Sequence, residues 1–239
     1  MINVTLIPVH KDNYCYLLEG DDGSVAIVDP GEAGPVIAAL EAKGLKPDVI
    51  LITHHHWDHI DGTSGLLKWH PCPVAGPASE TARIPQMDIF LDEDSNFKFG
   101  GEALHVLETP GHTRGAICLY FPENKLVFTG DTLFSMGCGR LFEGTPEQMW
   151  HSLQKIAALP DDTQVYCGHE YTLANAEFCL RIAPDNAKLQ ERVKQVRALR
   201  KQGKSTLPVL LKTEKETNVF LRAGSAKDFA KLRALKDQA

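Results

Sequence analysis

The chain has 239 residues, 43% of them hydrophobic and 23% charged, enough apolar content for one sizeable core and unlike a disordered or fibrous protein. Its net charge of −6 excludes a binder that tracks nucleic-acid phosphates, because such affinity needs clustered Lys and Arg. No apolar run approaches the roughly 18 residues of a bilayer span, and the start MINVTLIPVHKDN lacks the pattern of a secretion leader, so we expect a cytoplasmic protein with no membrane partner.

In chain order, INVTLIPV (2–9), YCYLLE (14–19) and SVAIVD (24–29) read as strands, with the turn GDDG before the third and Pro30-Gly31 closing the set. Residues 33–43 have helical periodicity and end at Gly44. The run DVILIT (48–53) is short, apolar and β-branched, as a strand buried on both faces requires, and its apolar character stops at His54. Further strands are expected at 103–108, 116–121, 125–130 and 163–168, with a helix at 146–158. The spacing then predicts helices at 172–182 and 186–202, a strand-like TNVFLR (217–222) and a basic helix from about 225. Residues 1–171 are read as one domain and 172–239 as a helical, substrate-binding subdomain. The six cysteines are scattered without a C-x-x-C pair, which suits reduced, mostly buried thiols rather than a disulfide framework.

The segment T-H-H-H-W-D-H (53–59) follows the buried strand directly and places His54, His56, Asp58 and His59 on one tight loop, while His55 and Trp57 are expected to point away. Imidazoles and a carboxylate suit Zn²⁺ or a similar first-row ion. A solvated His-rich loop is the plainer alternative, but three more candidates each end an apolar strand: His112 in T-P-G-H-T, Asp131 in F-T-G-D-T and His169 in Y-C-G-H-E. Seven ligands exceed what one tetrahedral zinc can use, so the set points to two metals, with Asp131 able to bridge them. Asp58 and Asp131 are the candidate catalytic residues. His10, His70, His105 and His151 stand outside the motifs and receive no role, and Cys138 and Cys167 read as small buried side chains.

This spaced set resembles the metallo-β-lactamase superfamily, and within it THHHWDH, TPGHT, GDTLFSMGCGRLFEGTPEQM, CGHEYTLAN and NVFLR resemble the hydroxyacylglutathione hydrolases over nearly the whole chain. The resemblance implies an α/β (α+β) fold, a four-layer αββα sandwich with a two-metal site at one edge and a small C-terminal helical subdomain. It implies that His54, His56 and His112 hold one divalent ion and Asp58, His59 and His169 the other, with Asp131 bridging; zinc is the first expectation, iron or manganese the alternatives. On the substrate side it implies a cation at Arg140, Tyr171 facing glutathione, and Arg222 meeting the glycine-end carboxylate, against the plainer reading of both arginines as solvated surface charges. The sequence departs from the family at Phe142, where some members have Tyr, and at Ser225, where others have a second cation.

The reaction so implied is hydrolysis of S-lactoylglutathione and related S-2-hydroxyacylglutathiones to glutathione and D-lactate, the second step of methylglyoxal detoxification. A metal-bridging hydroxide oriented by Asp58 would attack, and the small thioester would be the only partner of a monomeric chain. The rivals are a one-iron persulfide dioxygenase or a lactonase on the same fold, and a non-catalytic metal-binding module. The glutathione-side motifs count against the first two. Structural metal sites are closed and usually four-ligand, which counts against the third.

Overall fold

The computed structural model describes residues 1–238, which gather into two units: Met1–Glu108 with Gly115–Asn124, and Thr109–Arg114 with the chain from Lys125 onward. The first unit carries a six-stranded sheet in sequence order, β1 (Ile2–Val9), β2 (Asn13–Gly20), β3 (Val25–Val28), β4 (Val49–Leu51), β5 (Val74–Pro77) and β6 (Ile89–Leu91). β1, β2 and β3 pair antiparallel, as hairpin turns allow, and β3 to β6 pair parallel through crossovers. Helices α1 (Ala33–Lys43), α2 (Trp57–Ile60) and α3 (Thr63–Trp69) fill the connections around β4.

Val36 and Leu40 of α1 and Leu66 of α3 pack with Ile27, Ile50 and Val74 in the core of this unit. Gly44 ends α1 in the left-handed conformation, φ 67°, returning its N–H to the Leu40 and Glu41 carbonyls. From Val49 to Thr53 the run DVILIT is buried as its composition demands, with Ile50, Leu51 and Ile52 wholly inaccessible. Strands β7 (Phe97–Phe99), β8 (Glu102–Glu108) and β9 (Ile117–Phe121) form an antiparallel meander.

In the second unit β10 (Leu126–Gly130) is followed by a small ribbon, β11 (Leu133–Phe134) with β12 (Gly137–Cys138), and by helix α4 (Pro146–Ala157). Thr145 and Gln148 close a capping box on α4, which buries Met149, Leu153 and Ile156 along one stripe. Next come β13 (Gln164–Cys167), parallel to β10, then α5 (Thr172–Ile182), α6 (Ala187–Lys201), β14 (Val209–Leu210), α7 (Leu211–Thr217) and α8 (Ala226–Asp237).

Two expectations need correction. TNVFLR is not a strand: Thr217 ends α7 and residues 219–222 form turns that bury Val219, Phe220 and Leu221 and leave Arg222 exposed, because the Asn218 side chain accepts from Phe220 N at 3.0 Å and replaces strand pairing. Asp58 and His59 are not on a loop but on the short helix α2, for which His56 is the N-cap residue. No helix of the described residues is long and apolar enough to cross a membrane.

Candidate metal centre

In the first unit the end of β4 and helix α2 assemble a histidine cluster. The ring of His54 lies 4.8 Å from that of His56 and 4.2 Å from that of His59, centroid to centroid. Asp29, at the end of β3, organises them: its Oδ1 accepts from Thr53 N at 2.8 Å, and its Oδ2 from Thr53 Oγ1 at 2.6 Å and His59 Nδ1 at 3.0 Å. Because the Thr53 hydroxyl spends its proton on Asp29, it accepts from His54 Nδ1 at 3.0 Å. Both imidazoles therefore carry the proton on Nδ1 and keep the Nε2 lone pair for a ligand.

Asp29 holds φ 52°, a left-handed conformation that Asp tolerates better than most residues. Its ligand atom lies within 4.8 Å of those of His54 and His59, but three hydrogen bonds commit the carboxylate to orienting them. Asn13 does the same for Asp58, donating from Nδ2 to Oδ2 at 2.8 Å. Gly31 lets the chain pass under α2, since a Cβ there would stand 2.1 Å from the Asp58 carbonyl oxygen. His55 faces Glu80 and Arg83, and Trp57 is exposed against His10, so both turn away from the cluster as expected.

The second unit brings His112, Asp131 and His169 together. Parallel pairing of β10 and β13, with Gly130 opposite Cys167, sets the C-terminal ends of the two strands side by side, and Asp131 and His169 follow those ends. Nε2 of His112 and Nε2 of His169 each stand 3.3 Å from the same oxygen, Asp131 Oδ2. His112 Nδ1 lies 2.8 Å from the Arg140 carbonyl, which can only accept, so the proton sits on Nδ1. That leaves His112 Nε2 as the ring atom turned to the Asp131 carboxylate, and the ligand atoms of His54, His56, His112 and Asp131 form a group that could hold a metal ion. The donor chemistry of both clusters, imidazole Nε2 and carboxylate oxygen, fits a divalent first-row ion.

Around this cluster, Tyr171 stacks on His169 at 4.5 Å and 9°, Phe134 stands edge-on to both, and Phe142 stands edge-on to His112 with its ring largely exposed. The Arg140 side chain is exposed and pairs with Asp237 at 3.4 Å. Arg222 lies elsewhere, lining an open groove of about 670 Å³ with Ile182, Asn186, Lys188 and Glu216 at the C-terminal end of α5. Ser225 is the N-cap of α8, accepting from Asp228 N. Burial pushes the thiols of Cys138 and Cys167 up to about 11 and about 12, so both stay protonated near neutrality.

Sequence reasoning missed Asp29, Asn13 and two cations of α8. Arg233 donates to the Cys138 carbonyl at 3.0 Å and pairs with Asp237 at 2.9 Å; Lys236 reaches the Ala174 carbonyl and stands over the Phe178 ring. Burial, reinforced by Arg233, lowers the Lys236 pKa below the usual lysine range. The signal for Asp29 was present: it ends the apolar run VAIV as Asp131 ends LVFTG.

The model of the metallo-β-lactamase superfamily matches residues 11–169, and the chain belongs to that superfamily. ETHE1 from Myxococcus xanthus shares its fold, with a TM-score of 0.73 at 22% identity over 98% of this chain and 90% of that one. TTHA1623, crystallised in a di-iron-bound form, is 31% identical with a TM-score of 0.58, covering 68% of this chain and 90% of that one. A model of the hydroxyacylglutathione hydrolase C-terminus matches residues 170–239. The hydroxyacylglutathione hydrolase of Methylococcus capsulatus is 47% identical over 97% of this chain and 91% of its own length. Within the superfamily, the chain belongs to the hydroxyacylglutathione hydrolase family.

Proposed function

We propose that the chain hydrolyses S-2-hydroxyacylglutathiones, S-D-lactoylglutathione foremost, at a binuclear centre. His54, His56, His112 and Asp131 are assigned to one ion and Asp58, His59 and His169, with Asp131 shared, to the other. The observation that carries this reading is the shared oxygen of Asp131 with an imidazole nitrogen 3.3 Å away on either hand. Zinc is the first choice of metal and iron or manganese the alternatives, the di-iron form of TTHA1623 supporting the count of two.

Such ions supply Lewis acidity, acidifying water and polarising the thioester carbonyl. The chain's own groups do the rest. Asp29, Thr53 and the Arg140 carbonyl hold His59, His54 and His112 in the ligating tautomer, and Asn13 fixes the Asp58 carboxylate. Tyr171 offers an aromatic wall beside His169, and Arg140, joined through Asp237 to Arg233, offers positive charge to the glutathione carboxylates. Arg222 is the third substrate contact proposed, and residues 172–239 form the substrate-binding subdomain. Glutathione leaves as a thiolate, so no strong general acid is required. We place the chain in the cytoplasm as a monomer.

The test is steady-state hydrolysis of S-D-lactoylglutathione by metal-analysed protein. Turnover with close to two ions per chain is expected. Full activity with a single ion overturns the binuclear centre, and metal-loaded protein without turnover overturns the substrate.

A further inference from the structure

Helix α7 acts on the second ligand cluster without contributing a ligand. Glu214 is completely buried, and its carboxylate accepts from Ser135 Oγ at 2.9 Å, Met136 N at 2.7 Å and Asn218 Nδ2 at 3.0 Å. The same Asn218 amide donates to the carbonyls of Phe134 and Gly137, at 3.3 and 3.0 Å. Phe134, Ser135, Met136 and Gly137 all belong to the β11–β12 ribbon, whose two-residue turn is Ser135-Met136. Met136 sits at φ 54°, a left-handed conformation that a non-glycine residue holds only when its surroundings enforce it. Glu214 supplies that enforcement by taking the Met136 N–H.

The ribbon in turn determines the geometry at His112 and Asp131. It leaves the chain just after Asp131-Thr132 and returns at Gly139-Arg140, and Gly139 N donates to the Thr132 carbonyl at 3.1 Å. A Cβ on Gly139 would lie 2.0 Å from the Asp131 carbonyl oxygen and 3.0 Å from His112 Nδ1, so the returning strand is pressed against both ligands. The next carbonyl, that of Arg140, receives the His112 Nδ1 proton. A turn that relaxed at Met136 would move this carbonyl and release the His112 tautomer.

We propose that Glu214, backed by Asn218, is a positioning residue for His112 and Asp131, so that the C-terminal helices shape the metal centre itself. The inference rests on the metal-centre reading given above. It opposes the expectation, natural for a segment that carries none of the seven ligands, that chemistry and substrate selection are separable between residues 1–171 and 172–239.

The experiment compares wild type, Glu214→Ala, Met136→Gly and the double variant. Two thioesters are used, S-D-lactoylglutathione and a small one lacking the glutathione tail, together with release of bound Co²⁺ to a chelator. Glu214→Ala should lower kcat about 10- to 100-fold on both substrates alike, leave KM for the glutathione thioester within about twofold, and speed cobalt release by a similar factor. Glycine adopts the left-handed turn without steric strain, so the double variant should recover part of both losses, even though the buried Met136 side chain is lost. If Glu214→Ala does not fold, Asn218→Ala reads the same way with a smaller effect. Wild-type kcat and cobalt release in the folded variant, or losses that Met136→Gly does not relieve, overturn the proposal and leave Glu214 a fold support. Wild-type protein that holds cobalt but cleaves neither thioester overturns the substrate reading alone, and cobalt release then decides the positioning role.

Discussion

Asp131 joins the second cluster through one oxygen atom, because both imidazole nitrogens beside it face Oδ2. Replacing it with Ala should remove the shared ligand while leaving β10 and β13 paired, since their ladder does not use the side chain. We expect kcat to fall on the order of 10³-fold, the equivalent of several kcal/mol, with metal content below two ions per chain and an unchanged circular dichroism spectrum. Wild-type kcat in Asp131→Ala would remove the residue from the mechanism. Residues of this kind are legible in sequence because the ligand types are few and each follows an apolar strand. Asn13 and Asp29 are harder to see. Their contribution is a proton taken or given to a ligand, and a lone Asn after a strand looks like any turn residue.

At the scale of elements, periodicity found the long helices and the central strands, whose burial is continuous or strictly striped. It missed β5, β6, β7, β11, β12 and β14, which are two to four residues long, too short to show a period, and it misread TNVFLR. Three apolar residues in a row look alike whether a sheet or a side-chain-bonded turn buries them. Element geometry also bears on substrate binding. Tyr171 precedes the first turn of α5 and Arg222 lies by its last, and 11 helical residues span about 16 Å, against about 11 Å for an extended tripeptide. Arg140→Ala should therefore raise KM for the glutathione thioester with little change in kcat, by about 1.5–3 kcal/mol discounted for the exposure of the side chain, and leave a small thioester unaffected. Arg222→Ala should have the smaller effect of the two. An equal or larger rise in KM at Arg222 would place the tail along the α5 groove, and no rise at Arg140 would mark it as a surface charge.

At the scale of the whole molecule, ions that bind only the folded chain stabilise it, and an ion at 100 times its dissociation constant contributes about 2.7 kcal/mol. For a chain of this length that corresponds to roughly 5–11 °C in the thermal midpoint. Chelator treatment should therefore abolish turnover and lower the calorimetric midpoint by at least this much, and zinc should restore both. A midpoint that does not move would mean that the ligands bind nothing tightly. The hexapeptide Thr109–Arg114 is counted with the second unit although the chain on either side of it belongs to the first. During synthesis His112 thus leaves the ribosome before the carbonyl of Arg140 that will fix its proton exists, a wait of roughly one to six seconds at ordinary translation speeds. Neither unit can be made by cutting the gene once. A fragment ending at Asn124 carries a hexapeptide whose hydrogen-bond partners Thr132, Arg140 and Ser152 lie in the other fragment.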